Sequence, residues 1–202
     1  MSKKLYAAFA PLLVVAAFAI VPTVAQAQPH WYSNGTKIGA TKVAVTTHGH
    51  LKLEDKELEG GTKFTEGEVK DCGYIWNPVG GGAGLDEITC FETSKNVSNI
   101  CPEGAVTEVV PTKLPWLTEL IAGPPILDRI TGIEIDIRCS GTVVATYEGT
   151  LEPKFVNSNP SFAEFNGSGF LTNTATGTKG AISGNDFIEG PSGDNPITVK
   201  NP

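Results

Sequence analysis

The chain has 202 residues, 40% of them hydrophobic and only 18% charged, with 23 Gly, 14 Pro and a formal net charge of −7. The charged fraction is too low for a coiled coil, and the apolar content is too high for a disordered tail. An acidic balance offers nothing to a nucleic-acid backbone, and the length suits one domain or two small ones.

The N-terminal residues read as a secretory signal peptide. Lys3 and Lys4 form a positive start, Leu5 to Val21 is almost wholly apolar, and Ala25-Gln26-Ala27 fits a small-x-small cleavage site. The apolar run is slightly short for a membrane span, and Pro11 and Pro22 weaken it further. The expected division is therefore a signal peptide over 1–27 and a secreted β-rich domain over 28–202. Losing the two lysines with the leader takes the net charge from −7 to −9. Such a surface repels phosphate backbones and anionic lipid heads, so neither nucleic acid nor, after cleavage, a membrane is an expected partner.

Strand signals follow in chain order. From Val43 to Glu54 the residues alternate: Val43, Val45, Leu51 and Leu53 on one face, Thr46, His48, His50, Lys52 and Glu54 on the other. Thr62 to Asn77 reads as one long or bulged strand whose alternation slips near Val69. Leu85 to Thr93 is another strand. Pro111 to Pro125 fits either a short helix or a strand, since its proline flanks limit a helix. Ile133, Ile135, Ile137 and Cys139 alternate against Glu134, Asp136 and Arg138, and a Ser140-Gly141 turn leads into the strand Val143–Glu152. Phe162–Thr172, Thr178–Ile188 and Ile197–Lys200 complete the series. Repeated strands separated by Gly, Asn and Pro clusters, with no sustained helical period, predict an all-β, antiparallel β-sandwich or β-barrel.

The cysteines Cys72, Cys90, Cys101 and Cys139 all follow the leader, and an even count after a signal peptide reads as two disulfides. Sequence allows three pairings. We expect Cys90–Cys101, clipping a polar excursion from Glu92 to Ile100, and Cys72–Cys139, tying an early strand to a central one. The close pairs that zinc needs are absent from the sequence.

Several local features invite chemistry. His48 and His50 share a strand face and could reach one metal, with His30 or a carboxylate as third ligand; exposed polar-face histidines are the plainer reading. Gly80-Gly81-Gly82-Ala83-Gly84 lacks the lysine of a phosphate loop and reads as a strand connector. Gly167-Ser168-Gly169 lacks a full nucleophile elbow. Glu134 and Asp136 share a face, but Arg138 beside them favours a charge ladder over glycoside chemistry. Asn34, Asn96 and Asn166 begin glycosylation sequons, two of them also turn dipeptides. Trp31, Tyr32, Trp76 and Trp116 would serve either as core aromatics or as a platform, and Trp31, Tyr32 and Trp116 are the candidate ligand contacts. No catalytic residue and no cofactor is expected.

His30-Trp31-Tyr32-Ser33-Asn34-Gly35 resembles the opening of an uncharacterised family of exported bacterial β-rich proteins. Asn77-Pro78, Gly80-Gly81-Gly82-Ala83-Gly84, Leu114-Pro115-Trp116 and the β-rich close are similar too. The resemblance implies secretion and carries over no active site. The expected function is a secreted or cell-surface binding or structural module with a carbohydrate or protein partner. The alternatives are an extracellular hydrolase using dispersed Asp and Glu residues, or a β-barrel carrier of a small apolar ligand.

Overall fold

The structure, a computed structural model, describes residues 27–191 and 196–201. The predicted signal peptide thus lies outside the described residues except for Ala27.

The protein is all-β. The long strands are β3 (Val43–Asp55), β4 (Lys63–Trp76), β5 (Leu85–Ser98), β8 (Leu127–Cys139), β11 (Ser161–Asn173) and β12 (Lys179–Glu189). Two further positions in the wall are each filled by a broken strand. β6 (Thr107–Pro111) and β7 (Trp116–Ile121) pair with opposite halves of β8. β9 (Thr142–Leu151) and β10 (Lys154–Val156) bridge β8 to β11 in the same way. Every neighbour is antiparallel, and β12 returns to pair with β3 over Gly180↔Asp55 to Glu189↔Thr46. The result is a closed, up-and-down, eight-stranded barrel. Of the two architectures expected, the barrel is the one formed.

Alternation decides which face looks inward. Val45, Leu53, Val69, Ile75, Leu120, Ile130, Ile182 and Ile188 are buried, while Thr46, His48 and His50 between them are exposed. The slip expected near Val69 is not a change of face. Thr65, Gly67, Val69, Asp71, Gly73 and Ile75 are buried in unbroken period two, and only their chemistry departs from the apolar pattern. The stretch Pro111–Pro125 resolves as strand, with Trp116, Thr118 and Leu120 turned inward.

A second, three-stranded sheet closes one end. It is built from β1 (His30–Ser33), β2 (Thr36–Lys37) and β13 (Ile197–Lys200), in the order β13-β1-β2. Asn34 and Gly35 make its tight turn with φ of 49° and 74°. Trp31, Ile197 and Val199 pack with Val45, Ile75, Leu120, Phe155 and Ile188 as one core, and Trp31 meets Phe155 edge-on at 5.2 Å. Two asparagines fasten this plug. Asn77 accepts from Trp31 N at 2.9 Å and donates to Trp31 O and Ile38 O at 2.9 and 2.7 Å. Asn157 donates to Val199 O at 2.7 Å and accepts from Val199 N at 2.8 Å. Trp31 and Val199 are themselves register partners, so both clamps act on one row. Gly84 lies under the plug: a Cβ there would come within 2.7 Å of the Trp31 ring and 2.8 Å of Leu120.

The disulfides are Cys72–Cys90 and Cys101–Cys139, with Cα separations of 5.1 and 5.4 Å. This corrects the expected Cys90–Cys101 and Cys72–Cys139 pairing. The segment taken for a polar excursion is strand: β5 continues to Ser98 and carries the chain away from Cys90. Cys90 instead faces Cys72 directly across the β4–β5 ladder. Cys101, beyond the end of β5, meets the last residue of β8. Two disulfides place the chain in an oxidising, extracellular-type environment.

Candidate functional site

The barrel does not fill its own interior. A cavity of about 140 Å³ runs along the lumen. Most of its wall is apolar or aromatic, including Leu51, Val69, Ile88, Phe91, Ile135 and Phe165. Trp31 lines it from the plug and Trp116 from β7.

Into this wall the strands set four aspartates: Asp71, Asp86, Asp128 and Asp186. Each occupies an inward position where the alternation calls for an apolar residue. Asp71 faces Thr47 across the β3–β4 ladder, and Asp186 faces Gly49 across β3–β12. Gly49 lets the strands meet there, because a Cβ would stand 2.1 Å from Asn185 O and 2.8 Å from Asp186 Cα. Asp86 faces Thr118 across β5–β7, and Asp128 faces Leu120 across β7–β8. Relative exposures of 6%, 9%, 8% and 9% leave these carboxyls almost no solvent.

The aspartates act as two pairs. Asp71 and Asp186 lie within hydrogen-bonding reach of each other, beside Thr47. Asp86 and Asp128 repel one another beside Thr118. Burial is the main force on all four, and it opposes ionisation. Burial, with the neighbouring carboxylate adding to it, pushes Asp71 and Asp86 well above the usual range. Burial raises Asp128 to about 7 and Asp186 to about 6. Each pair therefore keeps its protons to higher pH than free aspartates would.

Nothing in the barrel completes their bonding. Asp71, Asp86, Asp128 and Asp186 each keep one buried oxygen without a hydrogen-bond partner. The Thr47 and Thr118 hydroxyls, though adjacent, form no well-shaped bond. The indole N–H groups of Trp31 and Trp116 are likewise buried and unpaired. Folded proteins satisfy most such groups, so this concentration along one cavity makes the lumen the candidate site.

One seam in the wall is weaker than the rest. The outer half of β5 shares no strand ladder with β6 among the described residues. The Asn96 side chain spans the gap, donating to Thr107 O at 3.1 Å, and Thr93, Asn96 and Val109 beside it line the cavity.

The sequence candidates are distributed differently. Of the aromatic ligand contacts expected, Trp31 and Trp116 line the cavity. Tyr32 does not; it packs under Lys200, whose Nζ lies 4.9 Å from its ring centre. Trp76 contacts Lys42. His48 and His50 share the exposed face of β3, where His48 stacks on Phe187 at 5.8 Å. His30 is buried in the plug, and burial holds its pKa down. Among the described residues no three His, Cys, Asp or Glu converge as metal ligands. Asp136 accepts from Thr146 at 2.8 Å and pairs with Arg138 at 3.1 Å, while Glu134 pairs with Lys113; the expected ladder is thus only partly solvated, since Asp136 is buried. Asn166 folds over its own turn and accepts from Ser168 N at 3.0 Å.

At the far end of the barrel Asp55 is fully buried. It accepts from Tyr147 Oη at 3.0 Å and Thr178 Oγ1 at 2.5 Å. The Glu57 N–H donates to the other Asp55 oxygen at 3.0 Å, so this network is satisfied.

Comparison with protein families, with curated proteins and with solved structures gave no match.

Proposed function

We propose that this is an exported small-molecule carrier that holds its ligand inside the barrel. The observation that carries the reading is the lumen cavity of about 140 Å³ whose wall contains buried polar atoms with no protein partner. A cavity near this size takes a molecule of benzene's dimensions. The charged face of the strands looks outward and the apolar face inward, the reverse of the pattern lipid requires. That arrangement supports a barrel working in water, and the disulfides support its export. The volume is small for a segment of polymer, which disfavours the hydrolase reading.

The test is thermal unfolding in the presence of small probes: toluene, benzyl alcohol and benzylamine. A probe that binds only the folded state at a hundred times its Kd stabilises it by about 2.7 kcal/mol. The reading predicts a concentration-dependent rise in Tm with at least one probe and none with a long-chain fatty acid, which the cavity cannot enclose. No rise with any small probe overturns it.

A further inference from the structure

The cavity wall is chemically one-sided. It contains Asp71, Asp86, Asp128 and Asp186, and no Lys, Arg or His side chain. Buried carboxylates ordinarily survive by pairing with a cation or by filling their hydrogen-bonding capacity. Here no cation pairs with them within the cavity wall and their hydrogen bonding is incomplete, since every aspartate keeps an unpaired buried oxygen.

An independent feature points to the same occupant. Trp31 and Trp116 are 1% and 4% exposed and line the cavity; their unpaired indole N–H groups are donors that call for an acceptor on the ligand, so it is the rings that bear on a cation. With Phe91 and Phe155 they supply aromatic surface beside the carboxyls, the setting in which an ammonium gains from both charge and ring. A metal ion fits less well. The carboxyls are spread among apolar side chains, and no three ligating groups converge on one point. Spread acids in an apolar wall suit an organic cation with a body of its own.

We propose that the ligand is a small organic amine, its ammonium held by one of the two aspartate pairs, Asp71–Asp186 or Asp86–Asp128, and its apolar body against the lumen wall. This rests on the carrier reading and adds the class of ligand.

The test is calorimetric titration of the whole secreted protein with benzylamine, benzyl alcohol, toluene and calcium chloride, each alone. The proposal predicts benzylamine tighter than benzyl alcohol by at least about tenfold, since one ion pair in a dry site exceeds that factor. It also predicts that one of the Asp71→Asn/Asp186→Asn and Asp86→Asn/Asp128→Asn variants, checked for folding by near-UV circular dichroism, loses that preference while still binding benzyl alcohol; a preference kept by both folded variants overturns it. Benzyl alcohol or toluene binding as tightly as benzylamine overturns the amine and leaves the carrier standing. Binding of calcium without benzylamine also overturns the amine. Absence of binding by all three organic probes removes both.

Discussion

Asp71 and Asp186 stand side by side inside the barrel, one on β4 and one on β12, with β3 and its Thr47 between their strands. Two carboxyls so placed cannot both ionise without large cost. The same holds for Asp86 and Asp128. These pairs make stability depend on pH in a direction opposite to that of salt-bridged acids. In the unfolded chain such groups titrate near about 3.9; in the folded protein all four titrate higher, Asp186 at about 6 and Asp128 at about 7. Between those limits the folded state holds more protons, so stability falls as pH rises. The slope is about 1.4 kcal/mol per pH unit for each carboxyl that keeps its proton only when folded. Urea denaturation should therefore show stability declining from about pH 4 to about pH 7. Asp186→Asn should remove one carboxyl's slope between about pH 4 and about pH 6, and Asp128→Asn one carboxyl's slope over the whole range from about pH 4 to about pH 7. A slope unchanged in both variants contradicts the pairing.

Removing the Asn77 clamp should loosen the plug. Asn77→Ala removes the side-chain partners of Trp31 N, Trp31 O and Ile38 O; Trp31 O keeps the Ile38 N–H at 3.0 Å, so Trp31 N and Ile38 O are the groups left short. Each unsatisfied buried group costs about 1–3 kcal/mol, so a total loss of at least about 2 kcal/mol is expected. Hydrogen exchange at the Trp31 amide should accelerate far more than at mid-barrel amides such as Ile135. Equal acceleration everywhere would mean that the plug and the barrel unfold as one unit.

Non-reducing peptide mapping should recover Cys72 linked to Cys90 and Cys101 linked to Cys139. With sequence separations of 18 and 38, loop entropy assigns them about 3 and about 4 kcal/mol in the chain-entropy picture. Recovery of a peptide linking Cys90 to Cys101 contradicts the strand register of β4 and β5.

Tyr147→Phe removes one donor from buried Asp55 and leaves Thr178 and the Glu57 amide. Loss of a hydrogen bond to a charged group costs about 1.5–3 kcal/mol. Burial, foremost, pushes the Tyr147 phenol up to about 12. Ultraviolet titration should show a late phenol component that the Tyr147→Phe variant lacks.

Asn96 bridges the seam between β5 and β6. Asn96→Ala should speed ligand entry and release by a common factor while Kd changes little. Relaxation-dispersion spectroscopy with a bound probe measures this. Unchanged exchange rates would place the route elsewhere.

Much of the barrel is legible in the sequence because period-two alternation is a direct image of a wall with two solvents. Val43 to Glu54 and Ile133 to Cys139 show it plainly. The lumen site is legible only by reading a violation. Asp71 falls in phase with Val69 and Ile75, Asp86 with Ile88, Asp128 with Ile130, and Asp186 with Ile182 and Ile188. A carboxyl on the apolar phase is the signal of a buried acid, but Gly67 and Gly73 beside Asp71 disguise it as a slip in register. The pairing of these acids is not legible at all, since it depends on which strands lie next to each other after closure. The disulfide pairing is hidden from the sequence for a related reason. Glu92 to Ser98 is polar because it is a half-exposed strand, and polarity alone resembles a loop.

The central claim is that ligand enters the lumen, and the tryptophans report on it directly. The sequence contains three; Trp31 and Trp116 line the cavity, while Trp76 contacts Lys42. Titrating the isotopically labelled protein with benzylamine, or with benzyl alcohol as the neutral probe, while recording the three indole N–H resonances separates inside from outside. The account predicts saturable shifts of the Trp31 and Trp116 signals with Trp76 unmoved. Saturation that shifts Trp76 alone, or leaves all three in place, would contradict it.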